Sequence, residues 1–146
     1  MAVAAGSVPS VALRPDVSLF RLYLLRATYA LIAIGMGMQV WPGIFHHDKL
    51  ELTHGVVRSM LAGMTALMLL GLRYPLKMLP LLFFEFAWKF IWLASFALPL
   101  YLGHQMDPDV WDTVQACALG VVIVPIAIPW RYVFQNYVKQ RGDRWR

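Results

Sequence analysis

Glu85 and Lys89 stand four residues apart inside one of the most apolar stretches of the chain, Leu-Leu-Phe-Phe-Glu-Phe-Ala-Trp-Lys-Phe-Ile-Trp over residues 81–92. At helical spacing, Trp92, Phe96 and Pro99 continue the same face. Glu one turn before Lys is the favoured order for such a pair. A lone charge in the middle of an apolar span costs ~3 kcal/mol on insertion scales, so each group is expected to be the partner of the other. The pair then serves one of two ends. It locks a helix bundle, or it forms a proton or ligand site.

A second polar stripe runs through His54, Arg58, Ala62 and Thr65. Thr28, Gly35 and Gln39 share a face of the preceding apolar segment, and Gln115 lies at a depth similar to Gln39 in the last one. If these faces meet, the interior is polar and opens to one side. In the other reading Arg58 reaches back to the interface and the amides bridge helices. His46, His47 and Asp48, with Glu51 and His54 nearby, are ligand types for zinc, copper or iron. Their spacing matches no established site, and loop histidines are also commonly just solvated. The single cysteine, Cys117, excludes an internal disulfide and any Cys-x-x-Cys motif. As a small apolar side chain it suits a buried position. Quinone, haem and metal all remain open as cofactors.

The elements that must hold these residues follow from composition. Of 146 residues 60% are hydrophobic and 14% charged, against ~25% charged in an average soluble domain. One small core cannot hide that much apolar surface, whereas a bilayer solvates it. Four stretches reach the ~20 residues a spanning helix needs: about 27–45, 53–72, 78–102 and 113–130. They must be helical, because a lone strand leaves its backbone unpaired in lipid. The short connections predict an all-α, up-down bundle of four transmembrane helices in a single domain over 1–146. Small residues four apart, such as Ala33 and Gly37 or Ser59 and Gly63, allow close helix approach. Pro80, Pro99, Pro125 and Pro129 are expected to bend or end helices.

Orientation is read from Lys and Arg. Arg14, Arg21 and Arg26, then Arg73 and Lys77, then Arg131, Lys139, Arg141, Arg144 and Arg146 fall on one side. Lys49 and Arg58 fall towards the other, beside the acidic loop with Asp107, Asp109 and Asp112. Both termini are therefore expected in the cytoplasm, with residues 1–18 a flexible tail and 131–146 a basic one. No basic residue precedes Arg14, so the N-terminal stretch does not read as a cleaved signal peptide. The net charge of +5 marks membrane anchoring rather than nucleic-acid binding. Trp41, Trp111, Trp130 and Tyr132 fall near span ends, where aromatic belts form. His46, His47, His54 and His104 lie on the outer side, which is the periplasm if the membrane is a bacterial inner membrane.

The length, the four spans and the arginines before the first helix resemble the broad group of small bacterial DoxX-like membrane proteins. The resemblance covers the whole chain and is one of layout. Arg73-Tyr74-Pro75-Leu76-Lys77, Glu85-Phe86-Ala87-Trp88-Lys89 and Ile128-Pro129-Trp130-Arg131-Tyr132 are also similar to segments of small bacterial membrane proteins. Some DoxX-like members are linked to quinone-associated oxidoreductases, but no catalytic residue carries over from that.

Three functions compete. The first is a non-catalytic subunit or accessory factor of a larger membrane complex, or a homo-oligomer, favoured by small size and the lack of a redox motif. The second is a proton-coupled carrier or exporter. The chain is similar to small multidrug-resistance transporters in span count and in having a membrane Glu. Here that Glu lies in the third span and has Lys89 as a neighbour. The third is a quinone- or haem-binding component using His54, Arg58 and the Trp-rich face.

Overall fold

The computed structural model describes residues 17–45 and 52–140. Most of the expected N-terminal tail, the loop with His46, His47, Asp48 and Glu51, and the end of the basic tail lie outside the described residues. Four helices are long and apolar enough to cross a membrane: α1 (Leu19–Phe45), α2 (Leu52–Arg73), α3 (Leu79–Leu102) and α4 (Pro108–Ala127). A short α5 (Trp130–Val133) continues as a π-helical stretch over Phe134–Lys139. Among the described residues there is no strand.

The second and third helices occupy the expected ranges to within one residue at each end. The first begins well before Ala27 and extends ~40 Å at 1.5 Å per residue, more than an apolar core needs. Its extra turns are held by the donors they carry. Arg26 Nε donates to the Leu72 carbonyl at 3.1 Å and Arg21 Nη1 to the Ile128 carbonyl at 3.2 Å. The last carbonyls of a helix lack partners within it and carry the negative end of its dipole. Two arginines of α1 therefore cap the C-terminal ends of α2 and α4. One turn on, the buried Tyr29 hydroxyl donates to the Pro75 carbonyl at 3.0 Å, while its ring lies against Gly71, where any side chain would collide with it. At the other end of the pair, Arg58 lies against Gly43.

The core is small. Leu25, Tyr29, Ile32, Met64, Met68, Leu79, Leu82, Val124 and Ile128 are buried together. Leu31, Ile34, Met60, Phe84, Ile91, Leu119 and Val122 face outward. An apolar surface of that extent matches lipid rather than water as its solvent.

Prolines shape both later helices. Pro99 has no N–H to give Ser95, and its ring crowds that carbonyl; the wider π turn over Leu93–Ala97 accommodates it. In α4 the carbonyl of Pro125 would receive its helical bond from residue 129, another proline without an N–H. The Trp130 indole takes that place and donates to Pro125 O at 2.9 Å. The helix ends at Ala127, short of the expected residue 130, and the chain turns into α5. Tyr132 and Val133 pack on the core, and the Tyr137 ring meets Phe83 edge-on at 6.0 Å. The first part of the expected tail is thus packed helix.

Candidate functional site

One α-helical turn of α3 brings the two ionisable groups together. Glu85 is fully buried and Lys89 is 9% exposed. Lys89 Nζ lies 2.6 Å from Glu85 Oε1. That contact is an ion pair, and among the described residues Oε1 has no further polar partner. The other oxygen, Oε2, accepts from the Trp88 indole Nε1 at 2.7 Å. The Trp88 ring also lies 5.6 Å from the ammonium, within range of a cation–π attraction. One tryptophan thus touches both charges.

Room for Lys89 comes from α4. A Cβ built on Gly120 would stand 2.6 Å from Nζ and 2.9 Å from Cδ. The lysine can lie across α4 only because residue 120 has no side chain. Cys117, one turn away, is buried on the same helix.

Beside the pair is a half-open cavity of about 550 Å³, formed mainly by α1, α3 and α4 with Leu61 of α2, within the usual range for small-molecule sites; the outward-facing Leu31 and Leu119 lie at its edge. Trp88 and Lys89 line it from α3, Gly35 and Gln39 from α1, and Asp112 and Cys117 from α4. Most of its remaining lining is aliphatic. Glu85 is not part of the lining, so of the pair only Lys89 borders the space.

The cavity therefore joins Lys89 and Gln39, two of the residues singled out from sequence. Trp92, expected on the same face, is half-buried further along α3. Gln115 is exposed and outside the cavity lining. The α2 stripe lies elsewhere: Arg58 is at the α1–α2 seam against Gly43, and His54 is exposed in the first turn of α2. Thr65, lower on that stripe, accepts from Trp41 Nε1 at 3.1 Å and donates to Ala62 O at 2.8 Å. Trp41 lies over Gly37, so its indole N–H turns into the bundle. His46 and His47 lie outside the described residues. Among the described residues, no three His, Cys, Asp or Glu side chains are grouped to hold a metal.

Sequence reasoning passed over two participants. Trp88 is three residues from Glu85, a spacing as close on a helix as four, but the face was extended through Trp92 instead. Gly120 had one signal, a glycine inside an apolar helix, which often marks close approach by a neighbour.

Comparison with known protein families, with curated proteins and with solved structures found no match.

Proposed function

We propose that this chain is a multi-pass bacterial inner-membrane protein. Its four helices run up and down with both termini in the cytoplasm. Its role is to bind a small amphipathic molecule in the cavity above the Glu85–Lys89 pair, as a carrier or as the ligand-holding subunit of a larger complex. The observation that carries this is the placement of Lys89, a mid-helix cation forming part of the wall of a mostly apolar cavity. Charges inside spanning helices are costly and tend to mark ligand or proton pathways. The orientation rests on the basic residues, among which Arg21 and Arg26 cap helix ends on the side proposed as cytoplasmic.

Native mass spectrometry after gentle extraction tests the binding role. The wild type is expected to retain a small molecule that Gly35→Leu loses. Gly35 lines the cavity, and a Cβ there meets nothing within 4 Å, so the new side chain starts in open space. Equal retention by Gly35→Leu would contradict the proposal.

The accessory-subunit reading draws on a separate observation. Only 17% of the apolar windows of α3 and α4 is buried, against 28% in α1 and α2. The α3–α4 side therefore offers the larger surface to lipid or to a partner. Co-extraction of a larger subunit, lost on replacing Phe90 or Ile91 by Asn, would support it.

A further inference from the structure

The two charges of the site are not equally available to a ligand, and that asymmetry selects what can bind. Glu85 is fully buried, held by the indole of Trp88, a residue of the cavity wall, and is itself absent from that wall. Lys89 forms part of that wall. An ammonium carries three N–H donors and no acceptor. One side of it is occupied by Glu85 Oε1, and another lies where a side chain at residue 120 would be.

Resting on the binding role proposed above, we infer that the cavity takes an uncharged amphiphile whose head carries a hydrogen-bond acceptor, a carbonyl or ester oxygen, set on Lys89. The chemistry of the alternatives decides this. At the Lys89 end a lipophilic cation would meet the lysine, with Glu85 absent from the wall; the other acid of the lining, Asp112, lies eight residues from Gly120 along α4. An anion would meet an attractive group, but Glu85 and Lys89 together carry no net charge whichever of them holds the proton. The complex would then leave one uncompensated negative charge in hydrocarbon, which is heavily penalised. A neutral acceptor gains a charge-assisted hydrogen bond and adds no charge to the site. The rest of the wall suits a hydrocarbon tail. Its polar end, at Asp112, lies ~12 Å further along α4 at 1.5 Å per residue, and Gln39 of α1 also lines the cavity.

The test uses the full chain in phospholipid nanodiscs with 2-decanone labelled with carbon-13 at the carbonyl. Infrared difference spectra report hydrogen bonding to that carbonyl as a shift to lower wavenumber. A saturable shifted band is expected with the wild type and with Asp112→Asn, which removes the other acid of the wall; decyltrimethylammonium should not displace it from Asp112→Asn. The Glu85→Gln/Lys89→Met double variant keeps the site neutral and should weaken binding on the order of tenfold, as loss of one charge-assisted hydrogen bond implies. Gly35→Leu should abolish the band. Gly63→Leu, which fills open space on α2 outside the cavity, should leave it unchanged. Displacement by the cation from Asp112→Asn, preference for decanoate over the ketone, or a band that survives the double variant would overturn the inference. If Gly35→Leu still stops a natural ligand from co-purifying, the binding role would stand without it. No saturable band in the wild type, together with unchanged native spectra for Gly35→Leu, would remove both.

Discussion

The Trp88 indole donates to Glu85 Oε2 at 2.7 Å, and this bond fixes the buried carboxylate beside Lys89, the member of the pair that borders the cavity. A hydrogen bond to a charged partner contributes ~1.5–3 kcal/mol. Trp88→Phe keeps most of the aromatic volume and removes the donor. It is expected to lower stability in detergent by about that amount. The same substitution in a Glu85→Gln background should cost much less. Equal losses in both backgrounds would show that Trp88 acts by packing alone.

Tyr29 and Gly71 form a second coupled pair. A methyl at residue 71 would overlap the Tyr29 ring, and overpacking of this kind costs ~1–3 kcal/mol. Gly71→Ala is expected to be destabilising by thermal melting and to be largely relieved in a Tyr29→Leu background. Tyr29→Phe, which removes the donor to Pro75 O, should cost ~1 kcal/mol. A Gly71→Ala variant as stable as wild type would place the ring elsewhere.

Gly120→Ala would drive a methyl into the Lys89 side chain. It is expected to lower the melting temperature of the wild type but to have little effect alongside Lys89→Ala. The readout is a thermal melt of both backgrounds in the same detergent. A similar drop in both would mean that the lysine does not lie on α4.

The proposed orientation is tested by thiol labelling in a Cys117→Ala background. Gln105 and Gln140 are both exposed, the first just before α4 and the second after α5. With Gln105→Cys, an impermeant reagent added to intact cells should label the chain. With Gln140→Cys, labelling should require permeabilisation. The reverse pattern would place both termini outside.

The helices were legible because a bilayer imposes a length and a composition that few other environments require. Their ends were less so. Residues 19–26 looked like a flank because Arg21 and Arg26 lower local hydropathy, and sequence does not reveal that their donors find the carbonyls of Leu72 and Ile128. The packed α5 was hidden for a similar reason. Its docking depends on Pro129 turning the chain and on Trp130 satisfying Pro125 O, both tertiary events. In the site, the spacing of Glu85 and Lys89 was sufficient, since i and i+4 share a face of a helix. What lies opposite Lys89 depends on the register of α3 against α4. Periodicity carries no information on that register, so the expected polar opening included Gln39 but not Gly120 or the walls supplied by α3 and α4.

The account turns on Glu85 and Lys89 behaving as one unit, and a double-mutant cycle measures this directly. Breaking a buried ion pair costs ~3–5 kcal/mol in soluble proteins, whereas replacing both members by apolar groups is often neutral. Glu85→Gln, Lys89→Met and the double variant would be melted in one detergent at one pH. Each single variant is expected to lose stability on that scale, and the double variant to recover most of the loss. Strictly additive losses would contradict the account, because uncoupled side chains add.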